Sequence, residues 1–176
     1  TYLTLDEVTE LRTRLRSNIL LVMDEAYSEY VDRADYGSAI ELVDSHGENT
    51  IVTRTFSKFF GMAGIRAGWA YAPAWTLGAL SRVRGPFSIS TIAIDAAIAC
   101  LEDTAYQEAA FVHNKKWLSW LKDEIQLLGY EMTDSVTNFI LMKIPGGIES
   151  AIEFDKKLRE MGFIGRLANQ NNLPEW

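Results

Sequence analysis

Residues 53–69 combine the residue types best suited to chemistry in this chain, and they follow a short apolar run. Thr55 and Ser57 place hydroxyls at alternate positions, and Lys58 follows directly. Arg66 comes eight residues after the lysine, in a stretch that holds three glycines. Hydroxyls, a guanidinium and close backbone approach at glycine suit an anionic group such as phosphate, and a neighbouring lysine suits a Schiff base with a phosphorylated aldehyde cofactor. The stretch is not a nucleotide-binding phosphate loop, because no Gly-Lys-Ser/Thr follows a glycine-rich turn.

Asp24 is a second candidate, because it closes the apolar run of residues 19–23. Five consecutive apolar residues are typical of a central parallel strand that is covered on both faces. Ligands of α/β sheets gather at the carboxyl ends of the strands, so a carboxylate at this position could act on one. Taken alone, Asp24 is equally consistent with an aspartate that only caps a strand or a turn.

Residues 55–68 read Thr-Phe-Ser-Lys-x-x-Gly-x-x-Gly-x-Arg-x-Gly. This pattern resembles the lysine segment of pyridoxal-phosphate-dependent aminotransferases of fold type I (class I/II), and above all the histidinol-phosphate aminotransferase-like branch. Residues 19–27 resemble the family strand that places an aspartate under the pyridine ring. The two segments lie in the family's order and at about its spacing. The resemblance implies an α/β fold: part of the large parallel-sheet domain, followed by a smaller α/β C-terminal domain.

The resemblance also implies a role for each matching residue toward pyridoxal 5′-phosphate. Lys58 would form the Schiff base with the cofactor and then move the substrate's proton. Asp24 would hold the proton on the ring nitrogen, and Tyr27 would donate a hydrogen bond to the phenolic oxygen of the ring. The neighbouring phenylalanines are expected to make the surroundings of Lys58 apolar. The cofactor phosphate would be held by Thr55, Ser57 and Arg66.

Residues 138–140 and 162–166 resemble family segments that face the substrate. On this resemblance Asn138 and Arg166 bind substrate, and Arg166 matches the first of two substrate-binding arginines. Arg54 precedes the lysine pattern and is expected to face solvent or a partner subunit. The family's glycine-bearing cofactor loop and ring-stacking aromatic residue belong upstream of the matched region, and its second arginine belongs just downstream. We therefore expect the chain to be a fragment of a longer protein.

Hydrophobic periodicity predicts the elements around these residues. Residues 4–16 form an amphipathic helix with a Thr-x-x-Glu capping box, and residues 65–71 form a strand. Residues 74–84 and 88–101 are predicted to be helical, the second buried because it is nearly apolar. A long helix covers about residues 104–128, and strands at 138–144 and 163–167 flank a further helix. The expected domains are 1–125, the C-terminal portion of the large domain, and 126–176, an incomplete small domain.

The composition limits the function classes. A hydrophobic fraction of 48% and a charged fraction of 23% are typical of a globular chain, and the net charge of −7 argues against nucleic acid or an anionic membrane as partner. Cys100 is the only cysteine, so neither a disulfide framework nor a cysteine metal site is expected, and we predict no bound metal. No apolar segment approaches the length of a membrane span, and no signal peptide is visible, so the expected compartment is the cytoplasm.

Three functions are compatible with these observations. The first is a transaminase that moves an amino group between an amino acid, or a phosphorylated amine such as histidinol phosphate, and a 2-oxo acid such as 2-oxoglutarate. The resemblance implies that such an enzyme is a homodimer, and the branch implies histidine biosynthesis. The second is a pyridoxal-phosphate-dependent decarboxylase of a phosphorylated amino acid, which shares this framework. The third is a cofactor-free binding or structural module.

We expect these 176 residues by themselves to show little or no transaminase activity. Catalysis requires that the cofactor ring be clamped on its second face and that the substrate carboxylate be gripped, and one misplaced group can cost about a hundredfold. The measurement is a steady-state assay with histidinol phosphate and with common amino acids, each against 2-oxoglutarate. Turnover of roughly 1–10 per second, as in intact enzymes, would contradict the expectation.

Overall fold

The structure is a computed structural model that describes residues 2–46 and 49–176. The chain divides into two compact units, Tyr2–His113 and Asn114–Trp176. Each unit is defined by its own internal contacts. The domain boundary predicted at residue 125 stays a prediction, because a unit defined by internal contacts need not coincide with a domain of the family.

Within the described part of the first unit, three strands form one mixed sheet in the order β1-β2-β3. β1 (Leu21–Asp24) runs parallel to β2 (Thr50–Thr55), and β2 runs antiparallel to β3 (Gly68–Tyr71). A short 3-10 helix, Ser28–Tyr30, follows β1. The α-helices in chain order are α1 (Leu5–Arg14), α2 (Ile40–His46), α3 (Ala74–Val83), α4 (Thr91–Glu102) and α5 (Thr104–Leu127), the last of which continues into the second unit.

β2 is the buried centre of this sheet. Its first three residues are buried, and Val52 is 0% exposed. Val52 packs in a hydrophobic cluster with Val8 of α1 and Leu42 of α2. β1 was predicted to be the central strand, but it pairs only with β2 among the described strands, and Val22 is 53% exposed. An apolar run shows which residues avoid water and does not show how many partners their strand has, so the central position of β1 stays a prediction.

α1 begins as its sequence predicts. The Thr4 hydroxyl accepts a hydrogen bond from the Glu7 amide, and the Glu7 carboxylate accepts one from the Thr4 amide, which completes a capping box. α1 ends at Arg14, two residues before the predicted end. α5 is also confirmed as a long helix, and Gly129, which follows it, has φ 79°.

α4 departs from its prediction as a buried helix. Only its small residues face the core: Ala93 and Ala97 are buried, whereas Ile92 is 73% exposed and Ile98 is also exposed. The two alanines are four residues apart and pack against the aromatic cluster of the first unit. The apolar character of α4 is therefore spread around the helix, and its buried face is formed by the smallest side chains.

The second unit contains α6 (Gly147–Glu160) and a short 3-10 helix, Asn169–Asn171. Neither strand predicted for this unit, at 138–144 or at 163–167, is present among its described residues. Extended pairing is limited to one isolated bridge between Met132 and Met142. A strand is defined by a hydrogen-bonded neighbour, which periodicity alone cannot reveal. Across the described ranges, no helix is both long and apolar enough to span a membrane.

The capping box makes a direct prediction for stability. Thr4→Ala removes the acceptor for the Glu7 amide, so the free energy of unfolding should fall by about 1 kcal/mol. Thr13→Ala is the matched control, because the Thr13 hydroxyl bonds back to the Thr9 and Glu10 carbonyls within α1 and alanine has the higher helix propensity. Urea denaturation of both variants measures the difference. An equal loss in the two variants would contradict the capping role.

Candidate functional site

The candidate site is built on the parallel pairing of β1 and β2. Asp24 is the register partner of Thr53, and the Glu25 amide continues the pairing with a hydrogen bond of 2.9 Å to the Thr53 carbonyl. Because parallel strands end at the same edge of a sheet, Asp24 and the residues that follow β2 lie at one edge. The structure therefore brings together the two segments that the sequence singled out.

The two faces of this edge carry different groups. The Thr53 hydroxyl lies 3.5 Å from the nearer carboxylate oxygen of Asp24, so these side chains share a face. Side chains alternate along a strand, which places Thr55 on that face and Arg54 on the opposite one. Asp24 is exposed, and so is Val22, two residues earlier on the same face. A carboxylate is thus presented at an open surface of the sheet.

The lysine loop, residues 56–67, connects β2 to β3. Its two ends are joined by a hydrogen bond of 3.1 Å from the Phe56 amide to the Ala67 carbonyl. Lys58 is exposed in this loop, so the prediction that the phenylalanines make its surroundings apolar was wrong. They turn inward instead and anchor the loop in a core cluster that contains Phe56, Phe59, Phe60, Met62, Ala67, Ala93 and Ala97.

Lys58 and Tyr27 meet across the strand ends. The Nζ atom of Lys58 lies 5.4 Å from the centroid of the Tyr27 ring, which is within the range of a cation–π contact. Tyr27 belongs to the segment after β1, and Lys58 belongs to the loop after β2. An amine, a phenol and the Asp24 carboxylate are therefore gathered at the same edge of the sheet.

Two glycines allow the close approaches that shape the lysine loop. Gly61 has φ 68°, and a Cβ atom there would lie 2.9 Å from the Tyr106 hydroxyl of α5. Gly68 pairs with Thr55, and a Cβ atom there would lie 2.8 Å from the Arg54 carbonyl. A larger residue at Gly61 would be strained by the positive φ, and one at Gly68 would force the start of β3 away from β2.

Of the three predicted phosphate-binding residues, Thr55 ends β2, and Ser57 and Arg66 lie within the lysine loop. The Thr55 hydroxyl accepts a hydrogen bond of 3.0 Å from the Ser57 amide, which turns the chain at the end of β2. Arg66 is exposed and has a left-handed backbone with φ 63°, and its guanidinium donates to the Ala63 carbonyl at 2.6 Å. A left-handed backbone at a non-glycine residue costs on the order of 1–3 kcal/mol, and such residues cluster at functional sites. Phe87 and Asn172 also have positive φ values in this chain.

Arg54 was expected to face solvent or a partner subunit, but its side chain is largely withdrawn from solvent within the first unit. Its side chain is 20% exposed and pairs with Glu25 at 2.8 Å and with Glu29 at 3.7 Å. Its guanidinium also lies 5.4 Å from the Trp69 ring centroid. Sequence reasoning overlooked Glu25 as well. The sequence did offer a sign of their importance: Glu25 directly follows Asp24, and Arg54 directly precedes Thr55.

Burial around this ion pair affects two further groups. It raises the pKa of Tyr36 from its ordinary value of 10.0 to about 12, and the nearby Glu25 carboxylate adds to the effect. It also raises the pKa of Glu29 above its usual 4.5, although Arg54 opposes this shift. Both shifts accord with the burial of Glu25, which is 8% exposed.

The two predicted substrate-binding residues lie in the second unit. Asn138 and Arg166 are both exposed. Asn138 lines a cavity of about 110 Å³, and Arg166 lines another of about 170 Å³. The two cavities share Ile140 in their walls. Among the described side chains of both units, no group of three or more His, Cys, Asp or Glu residues could hold a metal ion.

The α/β fold, with its lysine, tyrosine and aspartate at one edge of the sheet, agrees with the family to which the sequence matches. The family model for aminotransferase class I and II matches residues 1–176, and the chain belongs to that family. The histidinol-phosphate aminotransferase of Nitrobacter winogradskyi is 47% identical over 175 residues, which are 99% of this chain and 48% of that relative. The chain thus spans about half the length of the curated relatives it matches.

Solved structures agree with this assignment. The histidinol-phosphate aminotransferase from Sinorhizobium meliloti, solved in complex with pyridoxal-5′-phosphate, superposes with a TM-score of 0.87 at 28% identity, over 95% of this chain and 45% of that one. L-threonine-O-3-phosphate decarboxylase from Porphyromonas gingivalis reaches a TM-score of 0.75 over 94% of this chain and 50% of that one. Its identity of 20% shows a shared fold alone. The predicted α/β fold and the resemblance to the histidinol-phosphate aminotransferase branch are confirmed.

The raised pKa of Tyr36 predicts a dependence of stability on alkaline pH. The neutral phenol is favoured in the folded state, so its contribution to stability is complete below pH 10.0 and is lost as the pH rises toward about 12. Tyr36→Phe should flatten this part of the curve of unfolding free energy against pH. Urea denaturation between these two pH values measures it for both chains. Parallel curves would show that the Tyr36 phenol titrates alike in the folded and unfolded states.

Proposed function

We propose that the chain forms the lysine-bearing part of a pyridoxal-phosphate-dependent aminotransferase that acts on a phosphorylated amine of the histidinol-phosphate kind. The observation that carries this proposal is the contact between Lys58 and Tyr27 at the strand edge that also presents Asp24. The 2-oxo acid partner, such as 2-oxoglutarate, belongs to the same proposal. The high identity to histidinol-phosphate aminotransferases supports this reaction and a place in histidine biosynthesis.

The residues at the edge fit the cofactor in chemical type and order. Lys58 offers an accessible amine, which a covalent bond to an aldehyde requires. Asp24 offers an exposed carboxylate that can accept a hydrogen bond from a protonated ring nitrogen. The hydroxyl of Tyr27 can donate to a phenolic oxygen. For the cofactor phosphate, donors are available from Thr55, Ser57 and Arg66.

When bound, pyridoxal phosphate supplies an aldehyde and a ring that accepts electrons from the substrate. The protein supplies position and proton transfer. Lys58 Nζ can take and return a proton. The buried phenylalanines anchor its loop and so fix the position of the amine. The charge of Asp24 favours a protonated ring nitrogen, and Tyr27 orients the amine at 5.4 Å from its own ring. Asn138 and Arg166 would bind the substrate, with Arg166 directed to an anionic group.

The wider setting is part of the same proposal. Residues 1–125 would form the C-terminal portion of the large domain and residues 126–176 an incomplete small domain. As the resemblance implies, the enzyme would be a homodimer, and we assign it to the cytoplasm. A decarboxylase of a phosphorylated amino acid is the second candidate, because the P. gingivalis decarboxylase shares this fold. Product analysis separates the two reactions, since only the decarboxylase releases carbon dioxide.

Lys58 gives the direct test of the cofactor assignment. The 176-residue chain is incubated with pyridoxal phosphate, reduced with borohydride, digested and mapped by mass spectrometry. The label should lie on Lys58, because its amine is accessible and adjoins the donors for the phosphate. Lys58→Ala should lose the label, whereas Lys156→Ala, a control at an exposed position of α6, should keep it. Label on another lysine, with Lys58 unmodified, would refute the proposal and favour a cofactor-free module.

A further inference from the structure

The carboxylate of Glu25 is almost fully enclosed on the face of the sheet opposite Asp24. Its side chain is 7% exposed. One oxygen accepts hydrogen bonds from the Arg54 Nε and Nη2 atoms, at 3.1 and 2.8 Å, and from the Ser38 hydroxyl at 2.8 Å. The other oxygen accepts from the Ala39 amide at 2.7 Å. These four donors attach the residue after β1 to β2 and to the start of α2.

Arg54 extends the same network across the sheet. Its Nη2 atom donates to the Ser38 hydroxyl at 3.0 Å, and its Nη1 atom lies 3.7 Å from Glu29. Its register partner on β3 is Trp69, whose ring lies against the guanidinium. One guanidinium therefore contacts residues from β3, from the 3-10 helix and from the segment that precedes α2.

The network adjoins the candidate site through the backbone. Glu25 directly follows Asp24, and Arg54 directly precedes Thr55, but the side chains of each pair point to opposite faces. The ion pair is therefore joined to the strand ends that carry Asp24 and Thr55 by one peptide unit on each strand. Two backbone hydrogen bonds show whether these strand ends keep their positions: one from the Glu25 amide to the Thr53 carbonyl, and one from the Phe56 amide to the Ala67 carbonyl.

We propose that Glu25 and Arg54 are positioning residues, whose ion pair holds the ends of β1 and β2 in the geometry that Asp24, Thr55 and Lys58 need. This inference rests on the proposed function for its consequence but not for its geometry. Stability alone does not explain the pair, because a well-packed apolar pair of similar volume is often as stable as a buried ion pair. A buried polar network in which every donor and acceptor is hydrogen-bonded instead strongly favours a single geometry of the residues that it joins.

Three variants of the 176-residue chain separate positioning from stability. Arg54→Met and Glu25→Gln each leave one partner of the network without its counterpart and should lower the melting temperature. The double variant Glu25→Gln/Arg54→Met removes both charges and should recover most of that loss. Arg14→Met is the matched control, because Arg14 forms an ion pair with Glu10 on the exposed surface of α1.

Amide hydrogen exchange is the readout that does not need the cofactor. In the double variant, the amides of Glu25 and Phe56 should exchange at least about tenfold faster, the factor that corresponds to a lost hydrogen bond to a charged group. The Val8 amide in α1 should keep its exchange rate, because its bond to the Thr4 carbonyl lies within the helix. Unchanged exchange of Glu25 and Phe56 in the stable double variant would overturn the inference.

Cofactor capture is the second readout. Borohydride trapping of pyridoxal phosphate on Lys58 should need about ten to a hundred times more cofactor in the double variant, as expected for a misplacement on the order of 1 Å. Unchanged capture in the stable double variant also counts against the inference. If the unaltered chain itself shows no trapping on Lys58, the proposed function fails, and hydrogen exchange alone decides the positioning role.

Arg54→Lys keeps the test valid if the double variant does not fold. Lysine retains the charge but lacks the planar fork that bonds Glu25 and Ser38 together. It should therefore show the faster exchange at Glu25 and Phe56 and the weaker capture, with the melting temperature lowered less than in Arg54→Met. If Arg54→Lys shows the same amide exchange and the same cofactor trapping as the unaltered chain, charge alone is sufficient, and the positioning role of the Arg54 guanidinium is overturned.

Discussion

The parallel pairing of β1 with β2 is the constraint on which the candidate site depends. It sets Asp24 beside Thr53, so a carboxylate from one part of the chain meets the residues that lead into the lysine loop. Between these two segments lie α2 and the 3-10 helix, which the same pairing brings close to β2. A parallel pair needs such a crossover, and its strand ends necessarily share an edge. A register shift of one residue would turn Asp24 to the other face.

The lysine loop satisfies two opposing demands. An amine that reacts with an aldehyde must be accessible, and a loop that positions it must be rigid. The protein meets both by separating them along the sequence: Phe56, Phe59 and Phe60 enter the core while Lys58, between them, stays exposed. Gly61 lets the loop lie against Tyr106 of α5. The rigidity of the loop is thus provided by hydrophobic packing from α4 and α5.

The two faces of the sheet edge have different physical characters. The face with Asp24 is open and carries hydroxyls and a carboxylate, which are groups that can meet a polar ligand. The face with Glu25 and Arg54 is closed, and its hydrogen bonds are made within the protein. Burial there is strong enough to raise the pKa of Tyr36 to about 12. A fixed network behind an open site reduces the reorganisation that ligand binding would otherwise require.

The sequence by itself determined the chemical candidates, the family branch, the capping box of α1 and the extent of α5, because residue type, spacing and local hydrogen bonds are properties of short segments. The tertiary structure decided what depends on distant partners. Within the part of the chain that the structure describes, it made β2 the buried centre, gave β1 the single partner β2, turned the alanines of α4 inward, and left residues 138–144 and 163–167 without a strand ladder. It also drew Arg54, which the sequence placed at solvent or at a partner subunit, into an ion pair that leaves the side chain 20% exposed. The partner Glu25 is 29 residues away, and only the pairing of β1 with β2 brings the two charges together.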